Sequence, residues 1–88
     1  MPTLSMFYGI IIKMYNEKGV KHHIPHFHAE YQGQKAVITF DGEVLEGNLP
    51  SPKLKLIFAW VVIHREELEA NWTLLNEGNP YFKIEPLR

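Results

Sequence analysis

Apolar and polar residues alternate with period two through the first half of the chain, then recur at three-and-four spacing through the second. The first pattern marks strands with one buried face, the second an amphipathic helix. Phe7 to Tyr15 (FYGIIIKMY) is rich in β-branched and aromatic residues and predicts a first strand. Its more apolar face, Tyr8, Ile10, Ile12 and Met14, is assigned to the core. Gly9 is expected at a bulge or a close backbone approach. Met1 to Met6 reads as a lead-in. Asn16-Glu17-Lys18-Gly19 breaks the strand with a turn, and Val20 to Ile24 forms a loop. Pro25 pushes Ile24 out of helical geometry and suits a strand start. A second strand follows from His26 to Tyr31.

Gln32-Gly33-Gln34 closes a hairpin into a third strand, Lys35 to Phe40, whose apolar face is Ala36, Ile38 and Phe40. Asp41-Gly42 is a strong hairpin signal before a short fourth strand, Glu43 to Glu46. Gly47 to Pro52 reads as a loop, with Ser51 as N-cap and Pro52 at the first helical position. A long helix then runs from Pro52 to about Asn76. Leu54, Ile57, Phe58, Val61, Leu68, Trp72 and Leu75 form its core stripe, widened by Trp60 and Ile63. Gly78 and Pro80 mark its stop. The tail, Tyr81 to Arg88, adds an edge strand or packs across the helix. The fold expected is α+β: one domain over residues 1–88, with a small antiparallel sheet of three to four strands followed by one long helix on one face.

Composition narrows the function classes. The 88 residues contain no cysteine, so disulfides and thiolate metal ligands are excluded, in keeping with a reducing compartment. The formal net charge of −1 is not that of a strongly basic nucleic-acid binder. The apolar run Leu56 to Ile63 is far too short to span a bilayer, and the N-terminus lacks the pattern of a signal peptide. A cytoplasmic protein with no membrane association is expected.

The densest chemistry lies in Ile24-Pro25-His26-Phe27-His28-Ala29-Glu30-Tyr31, preceded by His22 and His23. On a strand, His26, His28 and Glu30 share one face, while Phe27, Ala29 and Tyr31 share the other. If the apolar faces meet the helix, the histidine face points away from it, together with Lys13, Tyr15, Lys35, Val37 and Thr39. Three readings follow. His26 and His28, with Glu30 or His23, have a spacing that permits a zinc site. Alternatively, His26 and His28 act as acid and base in RNA cleavage through the 2′-hydroxyl. Lys13, Lys35 or Arg65 would then hold the phosphate, and Tyr15 or Tyr31 would hydrogen-bond it or stack on a base. In the third reading the histidines only fill a strand surface. Arg65 also stands four residues before Glu69, as a solvated helical pair would. Trp60 and Trp72 lie on different sides of the helix axis. Either one of them serves an interface, or the wide stripe and the tail bury both.

Several segments together resemble the bacterial family called Domain of Unknown Function 4160. They are Met1-Pro2-Thr3, Phe7 to Tyr15, His23 to Tyr31, Gly47-Asn48-Leu49-Pro50, and the helix with Trp60, His64, Arg65, Glu67, Leu68 and Trp72. Pro25-His26-Phe27-His28 is the most specific part. The resemblance implies a small cytoplasmic bacterial protein. It also implies a cognate protein partner, similar to Domain of Unknown Function 2442, in an arrangement like a toxin–antitoxin pair. By motif match, His26 and His28 are the first catalytic candidates, with His23 and Tyr31 next. His22 stands where members of the family commonly carry an acidic residue.

The function expected is therefore a small component of a toxin–antitoxin-like module. Its toxin-like activity would be metal-independent RNA cleavage at His26, His28, His23 and Tyr31, with substrate contacts from Lys13, Tyr15, Lys35 and Arg65. No cofactor and no resident metal are assigned, and a homodimer is compatible with this reading. The alternatives are a non-catalytic protein-binding or transcription-regulatory module, or a histidine metal-binding domain.

Overall fold

The computed structural model describes residues 3–15 and 24–88. Five strands form one antiparallel sheet in sequence order: β1 (Thr3–Phe7), β2 (Ile10–Lys13), β3 (His26–Tyr31), β4 (Gln34–Thr39) and β5 (Val44–Gly47). They are followed by a single helix, α1 (Ser51–Asn76). The α+β architecture expected from the pattern is present, with one strand more than expected. The predicted turn at 16–19 and most of the loop carrying His22 and His23 lie outside the described residues.

The extra strand comes from splitting the first predicted one. Tyr8 and Gly9, with φ of 49° and 80°, form a two-residue turn, and Thr3–Phe7 pairs back on Ile10–Lys13. Positive φ at both central residues is the requirement of a type I′ hairpin. Met1 to Met6 is therefore not merely a lead-in, since β1 begins at Thr3. Tyr8 is exposed, not core, because it occupies the turn; Ile10, Ile12 and Met14 are fully buried as expected. Gly9 does sit at a close approach, because a Cβ there would lie 3.1 Å from the Tyr31 ring.

The register fixes the two faces. Ile12, Ala29, Ala36 and Gly47 lie across from one another in neighbouring strands, as do Lys13, His28, Val37 and Glu46. The first row points to the helix and the second points away. On the helix face, Leu4, Phe7, Phe27, Ile38 and Phe40 meet Ile57, Trp60, Val61 and Leu68. Trp60 lies 5.4 Å from the ring of Phe7 and 6.1 Å from that of Phe27.

The helix departs from expectation at two points. Ser51 makes no cap; Pro50 is the N-cap residue, and its carbonyl accepts from Lys53 and Leu54. Non-helical torsions at His64 (φ −112°, ψ 23°) put a kink in α1. Ile63, assigned to the core stripe, is instead 63% exposed and Val62 79% exposed, because both lie opposite the Ile57, Trp60 and Val61 face. The helix ends in a Schellman motif, with the amides of Gly78 and Asn79 donating to the carbonyls of Leu75 and Leu74.

The tail is wired into this core. The Asn71 side chain, fully buried, both donates to the Phe82 carbonyl and accepts from its amide, each at 2.9 Å. The Ile84 amide donates to the Leu4 carbonyl at 2.8 Å, and the Trp60 indole N–H to the Glu85 carbonyl at 2.8 Å. Of the two expectations for the tail, packing on the helix is the one met: residues 79–88 form no strand, and the Ile84 amide ties them to β1. Trp60 is fully buried and bonded to the tail, whereas Trp72 is partly buried against His26 and Phe40.

Two stability predictions follow from close contacts. Gly47 (φ 73°) sits where any Cβ would collide with the Lys35 carbonyl oxygen, whereas a Cβ at Gly33 (φ 82°) meets nothing. Gly47→Ala is expected to cost about 3 kcal/mol, from left-handed strain plus overpacking, against about 1 kcal/mol for Gly33→Ala, as read by urea denaturation. Asn71→Ala strands the Phe82 amide and carbonyl and is expected to cost about 2 kcal/mol in the same assay.

Candidate functional site

Strand β3 carries the candidate chemistry on the face turned from the first half of the helix. His28 lies opposite Lys13 on β2 and Val37 on β4, and His26 lies opposite Thr39. The imidazoles of His26 and His28 are neighbours, with ring centroids 5.6 Å apart. Tyr15 packs its ring against that of His28 at 4.6 Å, nearly perpendicular. The structure thus brings His26, His28, Lys13 and Tyr15 together, as period-two geometry predicts.

The two histidines differ sharply in environment. His28 is half-buried, but His26 is only 1% exposed. The Nδ1–H of His26 donates to the Ile24 carbonyl at 2.7 Å, which fixes Nε2 as the second ring position. Trp72, from the far half of α1, lies 5.1 Å from His26 and 6.2 Å from Phe40. The indole closes this end of the sheet, in contact with both His26 and Phe40. The histidine face is therefore open at His28 but roofed at His26.

Beside these rings lies an ion pair. Lys13 Nζ is 2.9 Å from Glu30 Oε2, with both side chains largely shielded from solvent. The hydrogen bond from Lys13 holds the Glu30 carboxyl below its ordinary range against the opposing cost of burial, with lesser help from the charges of Lys13, Lys35 and His28. The same bond raises the Lys13 ammonium above its usual range. Lys35 is exposed across from Glu30 and lines a shallow depression of about 290 Å³ with His28, Val37 and Glu46. The face is therefore mixed in charge rather than cationic.

The remaining sequence-predicted residues lie elsewhere. Tyr31 points to the helix face, where Lys53 Nζ stands 4.7 Å above its ring and also donates to the Tyr8 carbonyl at 3.0 Å. Arg65 is bound on the helix side to Asp41 Oδ1 at 2.7 Å, Glu69 Oε2 at 3.0 Å and the Phe40 carbonyl at 3.2 Å. It borders a hollow of about 250 Å³ between the Ile24-Pro25 segment and Trp72, not the open sheet face. His23 lies outside the described residues. Among the described residues, no three His, Asp or Glu side chains cluster as a metal site requires. Sequence reasoning missed Trp72 as the cover of His26, having placed it only in a helical stripe. Run straight, a 26-residue helix would span about 39 Å against about 20 Å for a six-residue strand, so this mismatch in length was the available signal, and the kink at His64 accommodates it.

Chemically, a histidine locked through Nδ1 and covered by a tilted indole is an orientated, poorly hydrated imidazole. Such a group suits fixing a neighbour or relaying a proton better than meeting bulk solvent. His28, flanked by a phenol ring and an ion pair, is the member a ligand would meet first.

Residues 9–73 match the family described as Domain of unknown function (DUF4160). The match takes in β2 to β5 and most of the helix, and the chain belongs to that family. No curated protein and no solved structure matches the chain. Among the described residues no helix is long and apolar enough to cross a membrane.

The ion pair yields a pH prediction. Because the folded carboxyl of Glu30 titrates below its ordinary value near 4.5, its contribution is present above that value and lost as pH falls through the lower folded one. Glu30→Gln is expected to be less stable than wild type at neutral pH. The difference should shrink as denaturation is repeated from about pH 5 down to about pH 3. A gap that stays constant across that range would show that the pair contributes nothing.

Proposed function

We propose that this protein is the small binding component of a toxin–antitoxin-like pair, and that it engages its cognate protein through the uncovered face of the sheet. The observation that carries the proposal is the composition of that face. Met6, 63% exposed, lies opposite Ile11 in the hairpin, and this apolar pair borders the Lys13–Glu30 ion pair and the His28–Tyr15 rings. An antiparallel sheet tolerates a solvated face, but it usually makes that face uniformly polar. Apolar and aromatic side chains set among paired charges are what a protein contact presents. The family resemblance supplies the partner's class: a small protein similar to Domain of Unknown Function 2442.

A second reading places RNA cleavage on the same surface, and one observation favours it. His26, His28 and Tyr15 form a continuous row of rings beside Lys13, with Lys35 at its edge. In that reading His28 transfers the proton, His26 positions it, and Lys13 and Lys35 face the phosphate. The tie of Lys13 to Glu30 opposes a polyanion, and this ranks the reading second.

Co-expression with the cognate small protein tests both. A stable complex is expected, weakened at least about tenfold by Met6→Glu or Ile11→Glu, with circular dichroism unchanged. Expression alone is expected to leave growth intact. Growth arrest relieved by His28→Ala but not by Met6→Glu would replace the first reading with the second. Neither complex nor arrest would sink both.

A further inference from the structure

A different surface, the outer side of α1, carries the strongest unused signal. Val62 is 79% exposed and Ile63 63% exposed, adjacent aliphatic side chains on a helix whose core face is already satisfied. At about 100° per residue, Lys55, Ala59 and Val62 form an outward stripe before the kink at His64, and Glu66 and Ala70 continue it beyond, with Ile63 on its flank. All six are exposed. The stripe reads basic, small, large, acidic, small along the helix. Among the described residues, neither Lys55 nor Glu66 takes part in the chain's own ion pairs.

We infer that this stripe is the contact between two copies of the chain, paired as antiparallel helices about a two-fold axis. The order of residues is self-complementary only in that arrangement. With the axis passing between Trp60 and Val61, Lys55 of each copy falls opposite Glu66 of the other. Ala59 of each falls opposite Val62 of the other, a small residue receiving a large one. Val62 then reaches toward Phe58 of the second copy, at the lip of a hollow of about 430 Å³ that Phe58 shares with Gly42 and Phe40. Ile63 packs beside Ala59. A parallel pairing would set Lys55 on Lys55 and Glu66 on Glu66, which is repulsive.

This face is separate from the sheet surface of the proposed function, so the dimer leaves both copies free to engage a partner. The stripe is smaller than a standard stable interface, so the association is expected on the order of tens of micromolar.

Sedimentation equilibrium on the full chain over a range of concentrations tests the inference. Wild type should pass from monomer to dimer, and Val62→Glu/Ile63→Glu should stay monomeric with unchanged circular dichroism. Lys55→Glu alone and Glu66→Lys alone should each weaken the dimer about tenfold at low salt, since each converts two attractive pairs into two repulsive ones. The double swap Lys55→Glu/Glu66→Lys should restore it. A wild type monomeric at several hundred micromolar would overturn the dimer. A dimer that ignores both single charge changes, or is not restored by the double swap, would overturn the antiparallel register. The partner-binding assay has its own outcome, so failure of either proposal leaves the other standing.

Discussion

Trp60 is the point on which the fold closes. Its ring is fully buried between Phe7 of β1 and Phe27 of β3, and its indole N–H is satisfied by the Glu85 carbonyl. One side chain therefore joins the edge strand, the central strand, the helix and the tail. A buried indole without an acceptor would carry a desolvation penalty, so the tail is needed to make that burial favourable. The remaining ties, Asn71 to Phe82 and Ile84 to Leu4, hold the tail where that acceptor must be.

The same helix sets the character of the histidine face. Because α1 is longer than the strands it crosses and kinks at His64, Trp72 in its far half lands on His26. One imidazole is thereby withdrawn from solvent and fixed to the Ile24 carbonyl, while its neighbour stays accessible beside Tyr15 and Lys13. A pair that looks equivalent along the strand becomes an unequal pair in space. The unequal burial leaves His26 fixed in orientation and His28 the accessible member of the pair.

Much of this was legible in the residues, and the failures have definite causes. The stripe from Leu54 to Leu75 and the alternation of β3 and β4 gave the helix, the central hairpin and the two faces directly. The edge strand β1 was hidden for two reasons. Its register shifts between Thr3 and Ser5, so that Leu4 and Ser5 are both buried and the alternation fails. Its turn also places a tyrosine at positive φ, where sequence rules look for Asn, Asp or Gly. Ile63 was misplaced because an aliphatic residue carries no mark of which side of a helix it takes. The pairing of His26, His28, Lys13 and Tyr15 followed from period two alone. The positions of Tyr31 and Arg65 did not, since a motif names residues without saying which face or partner holds them.

The way residues 82–85 complete the core bears on how the chain is made. A nascent chain emerges with the sheet first and the helix next, yet Trp60 lacks its acceptor and the Leu4 carbonyl its donor until residues 84 and 85 have been synthesised. Vectorial folding on the ribosome can therefore assemble the hairpins but cannot lock them. The cooperative step waits for residues 84 and 85, and a stall before them leaves the Trp60 indole and the Leu4 carbonyl without these partners.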